Sequence, residues 1–274
     1  MKRKRAGMAG GSRKDADTLR TSVWLAGKQD GAPKRRSGGQ GGEGTLDRER
    51  IVAATVRLLD AEGLAKFSMR RLAAELGVTA MSVYWYVDTK DDLLELAIDE
   101  VWGEITLPDP ADESADWRDQ LRDLVSQYRR TLVAHSWLPQ LLGQYLNIGP
   151  RAMTFANTSL AVIRRSGVAP HALTGAISAV FQFAYGFAAT QGLYVERCRA
   201  AGVSEDEYYA RVMQVVTERT DFTEQYREAA ELVEERGERT VAQMWEHDFG
   251  MGLETVIAGI EVLRDRSGAE SRES

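Results

Sequence analysis

The stretch 67–101, FSMRRLAAELGVTAMSVYWYVDTKDDLLELAIDEV, predicts two short helices followed by a longer one. Ser68 is a suitable N-cap for the first of these helices, and Gly77 is placed to end it. Thr89 and Asp92 have the spacing of a capping box at the start of the longer helix. A short helix, a glycine turn and a second short helix together indicate a helix-turn-helix arrangement.

A further helix is predicted before this stretch, because apolar residues recur at helical spacing once Leu46 is passed. Gly63 follows the last of them and is a candidate C-cap. The apolar positions are Ile51, Val52, Val56, Leu58 and Leu59. The sequence therefore predicts a three-helix domain with a helix-turn-helix over 45–106.

The second short helix begins with side chains that are small or unbranched, 79–82, TAMS. Such a helix start can lie close to base edges in a major groove, where alanine and threonine contact a thymine methyl group and serine bonds to either base type. Tyr84 and Tyr86 carry hydroxyls that can reach phosphates, as can the ammonium group of Lys90. Alternatively the aromatic residues pack a small core, an interpretation that we keep for part of Trp85.

The stretch 67–101 resembles the TetR-type transcriptional regulators, most specifically in the pattern LYWYV-x-x-K-x-x-LL, in which Val83 takes the first place here. The resemblance is strong over 46–106 and weaker over 115–264. It implies an all-helical homodimer in which a fourth helix joins the DNA-binding domain to a ligand-binding domain. It also implies, in most members, repression that a small molecule relieves.

The same resemblance assigns roles to individual residues. Arg70 matches a position that reads a base or its phosphate, and 79–82 matches the stretch that contacts bases. The residues predicted to contact a double-stranded DNA operator are Ser68, Arg70, Thr79, Ala80, Met81, Ser82, Tyr84, Trp85, Tyr86 and Lys90. Because the recognition stretch lacks the amides and charges of bidentate base readout, specificity is expected to depend on Arg70, methyl contacts and DNA shape.

A second helical domain is predicted over 112–266, after Pro108 and Pro110 interrupt the helical pattern. Its first helix carries a wide apolar stripe, and the family encloses a ligand cavity among such helices. The residues predicted to line this cavity are Trp102, Thr106, Tyr128, Trp137, Phe155, Phe181 and Tyr185. For each aromatic residue, ordinary core packing is the alternative.

The resemblance also bears on the ligand. In the tetracycline-binding members a magnesium-bound drug is held partly by histidines, and Thr106 stands here where such a histidine would fall. We therefore expect an aromatic, largely apolar effector that binds without a metal ion, and no cofactor.

Two helices are predicted to form the subunit interface of a homodimer. Residues 172–195 carry no charge, which suits a helix buried between the cavity and a partner. A membrane span is the alternative for this segment, but its Ser, Thr, Gln and Gly content argues against it, and we expect no membrane partner. The last helix supplies further interface candidates: Val241, Met244, Trp245, Phe249, Gly252, Val256, Gly259 and Ile260.

Charge divides the chain unevenly. Residues 1–44 hold eleven Lys and Arg against four Asp and Glu, a net charge of +7. Since the whole chain has a net charge of −6, residues 45–274 carry −13. The glycine-rich head is predicted to be a flexible extension, and 267–274 a disordered tail. The apolar tetrapeptide at 22–25, SVWL, could dock on a surface, but we expect it to make no contact.

Other classes of protein are disfavoured. The sequence has no glycine-rich phosphate loop, no nucleophile elbow, one cysteine and three widely spaced histidines, so no catalytic or zinc-binding spacing is present. A helical enzyme with dispersed acids and an effector-independent protein that coats DNA remain as alternatives, although an acidic body disfavours coating. The opening residues do not read as a secretory signal. We predict a cytoplasmic DNA-binding transcriptional regulator that acts as a repressor.

Overall fold

The computed structural model describes residues 22–25, 46–112, 114–218 and 225–273, and all regular structure within these ranges is helical. The predicted all-α fold is confirmed. Eleven α-helices follow one another along these ranges: α1 (Arg48–Glu62), α2 (Met69–Glu75), α3 (Ala80–Tyr84), α4 (Lys90–Trp102), α5 (Trp117–Ala134), α6 (Leu138–Leu142), α7 (Pro150–Arg164), α8 (Pro170–Ala201), α9 (Glu205–Thr217), α10 (Arg227–Arg236) and α11 (Val241–Glu273).

Each of the first four helices begins at a side-chain cap. Asp47 accepts a hydrogen bond from the backbone N–H of Arg50 at 2.7 Å, and Ser68, Thr79 and Thr89 make the equivalent bond at the starts of α2, α3 and α4. Gly77, at φ 68°, provides the left-handed turn between α2 and α3. The local sequence therefore determines the helix-turn-helix, as the capping pattern predicted.

One buried cluster fills the space inside α1–α4. The side chains of Ile51, Leu59, Leu72, Val83 and Leu93 are at most 1% exposed, so each helix contributes to a common core. Val83 is the one member of α3 in this cluster, which leaves the rest of that helix available at the surface.

The larger domain is built around α5 and α8, which pack along each other. The predicted apolar stripe of α5 is confirmed, because Trp117, Leu121, Leu124, Val125, Tyr128 and Leu132 are all buried. Arg122 binds the carboxylate of Glu254 with two nitrogens, at 2.6 and 2.8 Å, and so connects α5 to α11. Gly252 of α11 faces the ring of Phe183 so closely that an added Cβ would lie 2.5 Å from it.

Helix α8 buries one face inside the protomer and leaves another exposed. The buried face consists of small residues at helical spacing, which allows close approach of its neighbours: Ala176, Val180, Ala184, Ala188 and Gly192. Gly175, Ala179, Gly186 and Leu193 lie on exposed positions. In the described part of the chain, α8 is also the one helix long and apolar enough to cross a membrane, judged by length and composition alone.

The last helix differs from prediction in two respects. Val241, Met244, Phe249 and Ile260, expected at the subunit interface, are buried inside their own protomer. Periodicity cannot tell which apolar face meets the chain's own core, and the exposed face proves to be Met251, Thr255, Ala258 and Val262. Moreover α11 continues to Glu273, so the disordered tail predicted from residue 267 is wrong for the described residues.

The head also differs from prediction. Residues 1–21 and 26–45 lie outside the described residues. The expectation that the head is a flexible extension therefore stays a prediction. The tetrapeptide 22–25, however, is docked: Ser22 and Val23 are 5% and 4% exposed, and Ser22 donates a hydrogen bond to Glu95 of α4. The expectation that it makes no contact is therefore wrong. Its polar partner lies 73 residues away in sequence, so no local pattern could reveal the contact.

Asp99 fixes α4 to α7. Its Oδ1 accepts hydrogen bonds from the backbone N–H groups of Arg151 and Ala152, both at 3.0 Å, so a carboxylate of α4 occupies the N-terminal end of α7. The residue before that helix is Gly149, where an added Cβ would lie 2.2 Å from the same Oδ1. Glycine is therefore required at 149 by a close approach rather than by an unusual backbone angle.

We expect Gly149→Ala to destabilise the protein by about 1–3 kcal/mol, since the new methyl group must displace the buried carboxylate. Gly250→Ala is the matched control, because no atom lies within 4 Å of its added Cβ and alanine is favoured inside a helix. Urea unfolding of both variants provides the measurement. Equal stability of Gly149→Ala and the unaltered protein would contradict the close approach.

Candidate DNA interface and ligand cavity

The surface of the helix-turn-helix is formed by side chains of α3 that the core does not use. Met81, Tyr84 and Trp85 are 68%, 42% and 69% exposed, an unusual exposure for large apolar groups. These three predicted contact residues are therefore available at the surface, with Val83 directed inward. Ala80 and Tyr86 are half-buried at its edge.

The hydroxyls predicted to read bases have local partners. Thr79 accepts from the backbone N–H of Ser82 at 3.2 Å, and the two hydroxyl oxygens lie 2.9 Å apart. Ser68 is similarly used as the N-cap of α2. These side chains therefore shape the helix starts, and the exposed hydroxyl of Thr79 retains capacity for one further bond.

The two arginines at the start of α2 have different surroundings. Arg71 forms an ion pair with Glu62 of α1, while Arg70 is exposed on the adjacent position. Lys90 is less exposed than Arg70 and, among the described residues, forms no ion pair like that of Arg71. Its Nζ donates to the carbonyl oxygen of Phe67 at 3.2 Å and lies 5.3 Å from the centre of the Phe67 ring. An ammonium group has three donors, so Lys90 can position α2 and still bind a phosphate.

A cavity of about 430 Å³ lies between α4, α5, α7 and α8. Five of the predicted residues line it: Trp102, Tyr128, Phe155, Phe181 and Tyr185. Sequence reasoning missed the remaining lining residues, which are mostly small or polar: Leu142, Gly143, Asn147, Ala152, Ala156 and Gln182. Glycine and alanine leave the space, and the aromatic residues provide its walls.

Three of these rings are nearly parallel. The plane of Trp102 is inclined by 10° to Tyr128 and by 28° to Phe155, with ring centres 5.6 and 4.9 Å apart. Phe181 closes the group edge-on, at 89° to Tyr128 and 5.2 Å from it. Burial raises the pKa of the Tyr128 phenol, so its hydroxyl stays protonated across the physiological range.

Two polar atoms at this cavity have no hydrogen-bond partner among the described residues. They are the indole N–H of Trp102 and the amide Oδ1 of Asn147, and both are buried. Buried polar groups are normally satisfied, so two residues that line the cavity each carry an atom that a bound water or ligand could pair.

A smaller cavity of about 180 Å³ lies next to the first, and Tyr185 lines both. The hydroxyl of Tyr185 donates to the carbonyl oxygen of Pro139 at 2.8 Å, which holds the ring as a wall between the two spaces. Ser136, Gln140 and Glu196 give the smaller cavity its polar side.

Comparison with known proteins accounts for this combination of a helix-turn-helix surface and an aromatic cavity. The family model described as bacterial regulatory proteins of the tetR family matches residues 51–97, and that of the tetracyclin repressor-like C-terminal domain matches 109–264. The chain belongs to the TetR family. It is therefore a DNA-binding transcriptional regulator.

Relatives of this TetR-family regulator are similar over most of their length. The HTH-type transcriptional repressor DrrR1 of Streptomyces coeruleorubidus is 35% identical, over 85% of this chain and 83% of its own. The class C tetracycline repressor protein of Escherichia coli is 27% identical, over 80% and 92%. Streptomyces coelicolor ActR in complex with actinorhodin is 26% identical and superposes with a TM-score of 0.61, over 79% and 97%.

Two residues predicted to line the cavity lie elsewhere in the regulator. Trp137 is fully buried, and its indole N–H donates to Asp60 of α1 at 2.7 Å. Thr106 is exposed, and its backbone bonds to the side chain of Gln127 at 2.8 and 3.0 Å. Both predictions are corrected by these positions: Trp137 supports the junction between the domains, and Thr106 lies in the connection after α4.

His135 lies at the same junction, between two carboxylates. Its Nδ1 lies 2.7 Å from Asp60 Oδ1, and its Nε2 lies 3.0 Å from Glu104 Oε2. Burial lowers the pKa of His135, but the hydrogen bonds to Asp60 and Glu104 outweigh burial and leave the pKa raised. When its ring is protonated, His135 can donate to both carboxylates and so links α1 and the segment after α4 to the larger domain.

We expect Arg70→Ala to weaken binding of the regulator to its operator by about 1–3 kcal/mol, as loss of a base contact does. Arg71→Ala removes the same charge from the neighbouring position but breaks an ion pair with Glu62, so its effect on affinity should be much smaller. Fluorescence anisotropy with operator DNA measures both. If the two variants bind with equally reduced affinity, Arg70 contributes only its charge.

The contact of His135 makes stability dependent on pH. Because its folded pKa lies above its usual value of about 6.5, the stabilisation is complete below that value and disappears as pH rises through the folded pKa. Urea unfolding over this range should show the unaltered protein losing stability relative to His135→Gln. A difference that stays constant with pH would show that the ring acts by packing alone.

Proposed function

We propose that this regulator is a homodimeric repressor that an uncharged, largely apolar aromatic ligand releases from a palindromic operator. In this proposal 45–106 binds DNA and 112–266 binds ligand and partner. The cavity beside α4 is the observation that carries the proposal, since its occupant would contact the helix shared by both domains. The name of the repressor DrrR1 supports repression, and the complex of ActR with actinorhodin supports the binding of a small molecule.

The chemistry of the ligand is argued from the walls of the cavity. Three nearly parallel rings favour a flat aromatic molecule, because offset stacking is the preferred arrangement between aromatic planes. None of the described residues that line the cavity carries a charge, so a charged ligand would be desolvated without compensation. The ligand should present an acceptor to Trp102 and a donor to Asn147.

Transmission to DNA follows from the position of Trp102 at the end of α4. The cavity also contacts Ala152 and Phe155 of α7, whose first turn is held by Asp99 of α4. A ligand that enters between these helices pushes against both sides of that attachment. Helix α4 is about 20 Å long and begins at Lys90, beside the DNA-binding surface, so its displacement moves α2 and α3.

A second copy of the chain is the proposed occupant of the exposed faces of α8 and α11. Their small and apolar residues permit close helix packing, which suits a four-helix interface around a twofold axis. The two recognition surfaces would then meet half-sites about 34–36 Å apart. A partner on this face also leaves α8 without a membrane-facing surface, and we expect the regulator in the cytoplasm.

The ligand proposal is tested with a panel of uncharged planar aromatic compounds. We expect at least one compound to quench tryptophan fluorescence and to release the protein from its operator over the same concentration range, whether or not EDTA is present. A coupling of about 1–3 kcal/mol would lower operator affinity roughly 5–150-fold.

Two tryptophan variants locate the site. Trp102→Phe keeps a ring but removes the unpaired donor, so ligand affinity should fall about 2- to 12-fold, the value of one neutral hydrogen bond. Trp137→Phe is the matched control, because its indole bonds to Asp60 outside the cavity and its replacement should leave ligand affinity unchanged. The reverse result would place the ligand at the domain junction.

A further inference from the structure

The tetrapeptide Ser22–Leu25 forms a small folded unit on the surface of α4. The backbone N–H of Leu25 bonds to the carbonyl oxygen of Ser22 at 2.9 Å, which closes a turn, and the backbone N–H of Trp24 lies 3.3 Å from the Ser22 hydroxyl. Val23 enters the hydrophobic core together with α1 and α4, and Trp24 packs against that core. Leu25 remains 59% exposed.

Helix α4 binds this segment through a buried carboxylate. Glu95 is 8% exposed and accepts hydrogen bonds from the Ser22 hydroxyl and from the backbone N–H of Val23. Its charged neighbours on α4 are Asp91 and Asp92, which repel it. Burying a carboxylate without hydrogen-bond donors costs free energy. The two donors of the tetrapeptide therefore stabilise Glu95, and Glu95 in turn favours docking of the tetrapeptide.

The docked segment divides the basic head. Residues 1–21 contain seven basic and two acidic side chains, a net +5, and the rest of the chain from residue 45 is strongly acidic. Glu95 lies five residues, about 8 Å along the helix axis, from Lys90 beside the DNA-binding surface. A chain of 21 residues can span at most about 70 Å, so phosphates beyond the half-site lie within its reach.

We propose that Ser22–Leu25 is an anchor that fastens the basic segment 1–21 to the DNA-binding domain, so that this segment binds the phosphate backbone beside the half-site. The anchor shortens the connection. From the centre of its basic residues, about 13 residues lead to Ser22, against about 37 to Leu46, and effective concentration falls roughly as the −3/2 power of length. For a flexible connection this difference in length corresponds to a rise in local concentration of at most about fivefold.

The test uses the full chain and a fluorescein-labelled duplex of random sequence, so it needs neither the operator nor the effector. We expect Val23→Asp to weaken binding by up to about fivefold at low salt, because an aspartate cannot enter the core. Leu25→Asp is the matched control: it adds the same charge to the same tetrapeptide at an exposed position, and should bind nearly as well as the unaltered protein.

Deletion of residues 1–21 completes the design. It should weaken binding further and reduce the dependence of log K on log salt concentration by about 0.9 for each phosphate that the segment neutralises. In that deleted background Val23→Asp should have no further effect, whereas a folding defect would persist there and in thermal unfolding. Equal affinities of Val23→Asp and Leu25→Asp, or an unchanged salt dependence after deletion, would overturn the proposal.

Discussion

The attachment of α4 to α7 through Asp99 is the interaction on which the arrangement of the two domains depends. Burial raises the pKa of this carboxyl, which shows the cost of placing a charge there, and two backbone N–H groups offset that cost. The same polarity recurs along the junction: Asp60 receives bonds from His135 and Trp137, and Asp91 receives one from Tyr145. Acceptors lie on the DNA-binding side and donors on the other, so the domains fit in one orientation.

Buried polar groups have the same role elsewhere in the protein. Arg129 of α5 is 3% exposed, yet it bonds to Gln191 of α8 and Glu246 of α11 at 2.9 Å and lies over the ring of Phe249. Apolar packing alone would tolerate several rotations of these helices about their axes. A guanidinium group that must meet partners on two other helices permits only one of them.

The sequence predicted those parts of the structure whose causes are local. The caps Ser68, Thr79 and Thr89 act within four residues, so the helix-turn-helix could be derived from them. Trp137 was assigned to the cavity because an indole near a helix start looks the same whether a ligand or Asp60 accepts its hydrogen bond. The bonds of Asp99 with α7 and of Ser22 with Glu95 join residues more than fifty positions apart, and no local pattern marks them.

The hydrogen bond between Lys90 and the carbonyl oxygen of Phe67 connects α4 to the DNA-binding surface. It ties the first residue of α4 to the residue that precedes the cap of α2, so a displacement of α4 would be passed on to the start of α2. In the twofold dimer that we propose, each protomer would make the same movement in the opposite sense. A component of displacement directed away from the twofold axis is therefore doubled in the spacing between the two recognition surfaces, while the pitch of the DNA stays fixed.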